Sequence, residues 1–184
     1  MTESYLEIEA KFFLNDHEGY EHRLRSIGAS LVQPRTLETN YRFDLPDHSL
    51  SAQGRVLRLR KDQHVTITYK DPSLPDQPVS MRREIEMEVQ DFTTALELLQ
   101  ALGYQVYVLY EKYRTVYSLN NLKITVDELP YGVFTEIEGG DPQLIERTAA
   151  SLSLLWQHRI LSSYLVLFQQ LKQKCNLEVQ NLTF

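Results

Sequence analysis

Through the first three quarters of the chain, apolar and charged positions alternate one by one, and the alternation breaks at turn-forming residues. In YLEIEAKFFL, Tyr5 to Leu14, Leu6, Ile8, Ala10 and Phe12 fall on one side and Glu7, Glu9 and Lys11 on the other. Successive side chains of a strand point to opposite faces, so this pattern predicts a strand with one apolar and one charged face. LETNYRFDLPD reads as a strand closed by Pro46, and RVLRLRKDQHVTITYKDP as a hairpin turning near Asp62 to His64. RREIEMEV is a further alternating strand. Tyr104 to Leu119 and Leu122 to Leu129 form two strands joined at Asn120-Asn121, and FTEIE adds another. Helical spacing appears in three places besides the C-terminus. NDHEGYEHRLRSIG has a capping Asn15 or Asp16, a Tyr20, Leu24, Ile27 stripe and Gly28 to end it. DFTTALELLQALG has an Asp cap and a closing glycine, and Asp141-Pro142 opens a helix with proline at its first position. Ile160, Tyr164, Leu167 and Leu171 mark a C-terminal helix, expected from about residue 158.

A chain of 184 residues without a repeat or a long linker predicts one domain, 1–184. The 42% hydrophobic content suffices for one sizeable core. The net charge of −6 argues against general nucleic-acid binding, which calls for a basic domain. Lone Cys175 excludes an internal disulfide and a cysteine metal site, and the five histidines lack ligand spacing. No apolar run approaches the ~18 residues of a membrane span, and no stretch reads as a signal peptide. The expectation is a cytoplasmic protein with no nucleic-acid or membrane partner, a monomer or homodimer.

The charged face recurs. Arg58 and Arg60 share one, as do Lys112 and Arg114, and Lys70 shares one with Thr66 and Thr68. Arg82, Glu84, Glu86 and Glu88 form a row, and so do Lys123, Thr125 and Asp127; Glu136 and Glu138 pair. One antiparallel sheet with a wet face would account for any single strand. The whole set points further, because nearly every segment carries two or more charges and like signs are grouped by segment. Grouped like charges repel, which stabilises a surface poorly but suits ligand subsites. A sheet curled with its apolar face outward, under the helices, would enclose the charges, and about eight strands close into a barrel wide enough for one small ligand. Enclosed unpaired charge costs several kcal/mol per group, so such a lumen must hold countercharges. Carboxylates without cysteine suit hard cations such as Mg²⁺ or Mn²⁺, and clustered Arg and Lys suit phosphate. The fold class expected is α+β, a closed antiparallel barrel with a hydrophilic tunnel covered by helices.

In these residues the sequence resembles the CYTH family, also called triphosphate tunnel metalloenzymes. EIEAK is similar to the family's E-x-E-x-K signature, TNYRFDLPDHSLSAQGRVLRLR to its strand-loop-strand ending in paired arginines, and TITYKDP to its T-x-K segment. RREIEMEV, EKYRTVY, KITVDELPYGVFTEIE and SSYLVL follow in family order, so the resemblance spans Leu6 to Leu167. Arg42 departs from the pattern, where an aromatic is expected before Phe43. The resemblance implies Glu7, Glu9, Asp127, Glu136 and Glu138 as metal ligands. It implies Lys11, Arg58, Arg60, Lys70, Arg82, Lys112 and Arg114 as phosphate contacts. Lys11 would position or deprotonate a water, and Glu84 and Glu86 would hold a second metal or orient the cations. Arg82 rather than Arg83 is taken as the inward arginine, and Tyr164 is expected to pack its helix on the barrel.

The function expected is hydrolysis of inorganic triphosphate, a small-molecule substrate, with Mg²⁺ or Mn²⁺. A class IV adenylyl cyclase, a thiamine triphosphatase and a non-enzymatic polyphosphate-binding module are the alternatives. The module would not need the acidic set, and no signature for an adenine or thiamine pocket is present.

Overall fold

The computed structural model describes residues 6–184, so Tyr5, the first residue of the expected opening strand, lies outside it. Among the described residues there are eight strands: β1 (Leu6–Leu14), β2 (Ser30–Asp44), β3 (Val56–Lys61), β4 (Val65–Lys70), β5 (Ser80–Val89), β6 (Gln105–Leu119), β7 (Leu122–Leu129) and β8 (Gly132–Glu138). They pair in the order β1-β5-β4-β3-β2-β6-β7-β8, and β8 returns to β1. Every neighbouring pair is antiparallel, so the sheet is a closed barrel. Five α-helices accompany it: α1 (His17–Ser26), α2 (Ser49–Ala52), α3 (Phe92–Ala101), α4 (Pro142–Ser151) and α5 (Tyr164–Cys175).

The apolar faces point outward and the helices cover them. Ile8, Ala10, Phe12, Ile124 and Ile137 from the barrel pack with Tyr20 and Leu24 of α1 and Ile145 and Ala149 of α4 in one core. Phe43, Leu57 and Leu59 pack with Ala95 and Leu99 of α3 in another. Burying one such large side chain is worth about 1.5–3 kcal/mol. Sliding any strand by one residue would exchange its apolar set for its charged one, so this covering fixes the register. The outer face of β5 is less covered, and Ile85 and Met87 remain exposed. Helix starts follow their caps: Asp16 accepts from the Gly19 amide, Asp91 from Thr94 and Asp141 from Gln143.

Two features differ from the sequence expectation. Strand β2 begins at Ser30, well before LETNYRFD, because its first half pairs with β6 through register shifts on either side of Gln33 that accommodate Pro34. The C-terminal helix begins at Tyr164, not near 158. Residues Trp156–His158 form a separate 3₁₀ turn, Ile160 bridges the backbone of Lys11, and Ser163 caps α5.

Helix α5 lies across one end of the barrel. Its Tyr164, Leu165 and Phe168 pack with Val108, Tyr110, Leu129 and Phe134, which share strand faces with the charged residues. The tail then runs along β6. β7 pairs with β6 only from Tyr113 onward, and Leu182 occupies the edge left before it. The Glu111 amide donates to Leu182 O at 2.8 Å, and the Leu182 amide to Leu109 O at 2.9 Å.

Candidate active site

The charged faces enclose a cavity of about 740 Å³, lined among the described residues by nine basic and eight acidic side chains. Glu7, Glu9, Lys11, Arg58, Arg60, Lys70, Arg82, Glu84, Glu86, Lys112, Arg114, Glu136 and Glu138 all line it. The structure thus brings together every sequence-derived candidate except Asp127, which is fully buried and absent from the lining. The inward arginine of β5 is Arg82; Arg83 faces outward near Asp71.

Three groups of ion pairs organise the lumen. In the first, register places Glu7 opposite Arg82. Glu7 accepts from Lys70 Nζ at 2.5 Å and from Arg82 Nε at 3.0 Å, and Lys70 also lies 3.0 Å from Glu84. Burial alone would raise the Glu7 carboxyl, but Lys70 and Arg82 outweigh it and hold it at about 2.

The second group joins β2, β6, β7 and β8. Asp127 accepts from Arg114 Nε at 2.6 Å and from Arg114 Nη2, from Lys112 Nζ at 3.1 Å and from the Tyr164 hydroxyl at 2.8 Å. With these donors around it, Asp127 aims Lys112 and Arg114 into the lumen from behind and presents no free face to the cavity. Arg114 also donates to Glu136 at 2.7 Å, and Lys11 stands 3.3 Å from Glu136. Burial would raise Glu136, yet Lys11, Arg114 and Lys112 hold it well below the usual carboxylate range. Glu38 of β2 completes the set, 3.5 Å from Lys112 and 1% exposed. Lys112 and Arg114 likewise keep its carboxyl depressed against burial.

In the third group, Glu86 lies 3.7 Å from Arg58 and 3.4 Å from Arg60 and accepts from Thr68 at 2.8 Å. Thr68 in turn accepts from Arg58. Glu86 is lowered despite burial, chiefly by Arg60. Toward the opposite end from α5, Lys123 pairs with Glu138 at 2.8 Å, both partly exposed, and Glu88 reaches out to His64. These three mark the open mouth.

Two lumen carboxylates are pushed up instead: Glu84, chiefly by burial, and Glu9. For Glu9 the reason is plain. Its closest cation is Arg82 at 3.9 Å, and burial together with Glu136 pushes its carboxyl up to about 7. Uncompensated negative charge beside further carboxylates is what a hard divalent cation relieves. As arranged, no three such groups among the described residues converge closely enough to hold a metal, because Lys and Arg occupy most of their oxygens. Glu7, Glu9, Glu136 and Glu138 fit as a donor set once the carboxylates exchange those partners for a cation.

Sequence reasoning overlooked Glu38, Asn40 and Tyr110. Asn40 donates to Glu38 at 3.0 Å and is fully buried. The signal was present in Glu38, Asn40 and Arg42, which alternate with Thr39, Tyr41 and Phe43. Tyr164 does more than pack its helix. Besides bonding Asp127 it lines the cavity, with Lys11 Nζ 4.3 Å above its ring.

A family model described as CYTH domain matches residues 5–163. An adenylate cyclase of Aeromonas hydrophila is 28% identical over 132 residues, 71% of this chain and 67% of that one. A solved Pyrococcus horikoshii protein superimposes with a TM-score of 0.75 at 29% identity, covering 88% of this chain and 98% of its own. A Hippeastrum protein described by a dominant triphosphatase activity shares the fold, with a TM-score of 0.66 at 16% identity over 90% of this chain and 95% of that one.

Proposed function

The chain belongs to the CYTH domain family, and from that premise we propose that it hydrolyses inorganic triphosphate to pyrophosphate and phosphate with Mg²⁺ or Mn²⁺. Enzymes of this family act on phosphate-containing substrates and depend on divalent metal ions. The observation that carries the reading is the lining itself, nine basic and eight acidic groups around one space. A site that only binds polyphosphate has no use for eight carboxylates, each of which weakens the hold of a neighbouring cation on an anion. A metal-assisted site needs both sets.

Glu7, Glu9, Glu136 and Glu138 would hold the metal. When bound it supplies charge neutralisation for phosphoryl oxygens and a lowered pKa for the attacking water. The protein's own groups do the rest. Arg58 and Arg60 on one wall, Lys112 and Arg114 on another, and Lys70 and Arg82 on a third bind phosphoryl oxygens and stabilise the charge that grows on them. Glu84 orients Lys70, and Glu86 orients the Arg58–Arg60 pair. Lys11 positions the water and takes its proton. The water oxygen bonds to a terminal phosphorus as the bridging P–O bond breaks, and pyrophosphate leaves with the electron pair.

A class IV adenylyl cyclase is the second reading, favoured by the Aeromonas hydrophila relative. There the substrate's own 3′-hydroxyl replaces water, and the product is cyclic AMP.

Phosphate release from tripolyphosphate should require Mg²⁺ or Mn²⁺, stop in excess chelator and return when the ion is restored. Glu7→Gln and Glu138→Gln should each lose at least about a hundredfold in kcat, on the order of 3 kcal/mol, while the protein stays folded. Full turnover in chelator would refute this mechanism.

A further inference from the structure

Arg42 is the one lumen cation, among the described residues, with no carboxylate within 4.0 Å. Its side chain lines the cavity, the residue is 9% exposed, and its Nε has no hydrogen-bond partner. Both acidic neighbours along β2 are engaged elsewhere. Asp44, two residues on, accepts from the Leu50 and Ser51 amides and the Ser51 hydroxyl of α2. Glu38, on the other side, is held by Asn40, Lys112 and Arg114. Across the strand pair Arg42 faces Arg58, whose Nε is also unpartnered. On the β6 side Arg42 pairs with Val108, the Tyr107 ring lies 5.8 Å from the guanidinium, and Tyr110 is near enough to feel its charge. Burial would raise the Tyr110 phenol, yet Arg58, Lys112 and Arg42 bring it below its usual range. Two buried guanidinium groups side by side, each with an unused N–H, cost free energy unless an anion with several acceptor oxygens joins them.

We propose that Arg42, with Arg58, forms an anion subsite at the inner end of the cavity that takes a terminal phosphoryl group of a linear polyphosphate. The proposal rests on the reading of the cavity as a polyphosphate site and adds the direction in which the chain lies. One end of the polyphosphate sits at Arg42, near α2 and the start of α5, and the other points toward the mouth at Lys123 and Glu138. The Arg at this position makes the inner end demand negative charge, where the aromatic expected from the sequence pattern would not.

The test titrates tripolyphosphate and orthophosphate calorimetrically, in chelator so that nothing turns over, into the wild type, Arg42→Met and Arg42→Lys. Melting of the unliganded proteins is measured alongside. Arg42→Met should bind tripolyphosphate at least about tenfold more weakly, Arg42→Lys should recover part of the loss, and unliganded Arg42→Met should melt no lower than the wild type. Equal affinity in wild type and Arg42→Met, or no binding of either anion by the wild type, would overturn the subsite. So would an Arg42→Met protein that fails to fold or melts well below wild type, since the guanidinium would then be holding the wall together. Phosphate release by the wild type with Mg²⁺ judges the hydrolase reading separately. An Arg42-dependent affinity without turnover would leave the subsite standing and the reaction wrong.

Discussion

Glu7 and Glu9 stand two residues apart on one strand face, yet their carboxyls titrate at about 2 and about 7. Lys70 and Arg82 bond Glu7, whereas Glu9 has burial and Glu136 against it. The consequences for stability have opposite signs. Glu7 stabilises the fold above its ordinary value of 4.5, and that contribution is lost as pH falls toward about 2. Glu9 costs nothing at low pH, where it is protonated folded or unfolded, and its cost grows as pH rises from 4.5 to about 7. Glu9→Gln should therefore melt like the wild type near pH 4 and higher than it at pH 8, by at least about 3 °C. A melting difference that does not grow over that interval would remove Glu9 as a poised carboxylate. Asp127 makes the reverse case, because removing its charge leaves Lys112 and Arg114 short of a countercharge in a buried place. Asp127→Asn should lose on the order of 3 kcal/mol in denaturant unfolding. At this scale the sequence revealed the alternation, and with it the placement of Glu7, Glu9, Arg58 and Arg82 in one lumen. It could not reveal that Asp127 stands behind the cations it serves, because face parity says which way a side chain points and not which neighbours close over it.

Among elements, β2 and the C-terminal tail were the least legible. Pro34 breaks the alternation that would announce the first half of β2, and only the pairing with β6 reveals it as strand. Residues after Cys175 carry no period, because Leu182 works through two backbone hydrogen bonds and one buried side chain. Their role follows from the sheet, since β6 outruns β7 and leaves an open edge. Deleting residues 177–184 should lower the melting temperature and promote self-association, because an uncovered strand edge is a template for another chain. Light scattering and melting of the truncated protein would check this, and an unchanged monomer-to-oligomer distribution with unchanged melting would count against it. Helix α5 links its end of the barrel to the site through Tyr164, so Tyr164→Phe should cost about 1–2 kcal/mol through the lost bond to Asp127.

The whole molecule turns an ordinary barrel inside out, with apolar faces under helices and charge within. That inversion was legible from the sequence only as a set, since any one strand would serve as well on a wet sheet. Closure itself needed the β8-to-β1 pairing, in which Lys11 meets Glu136 and Glu9 meets Glu138. Cations drawn from seven strands spread around the cavity rather than gathering at one point, so a chain of three phosphates can engage them in succession. Pyrophosphate would leave part of the set unmatched. The most direct test is steady-state kinetics with Mg²⁺ on inorganic triphosphate, pyrophosphate and ATP, with phosphate and cyclic AMP both measured. Inorganic triphosphate should show the highest kcat/KM, with ATP and pyrophosphate lower by at least roughly tenfold, about 1.4 kcal/mol in the transition state. ATP as the best substrate, with cyclic AMP as the product, would contradict this order.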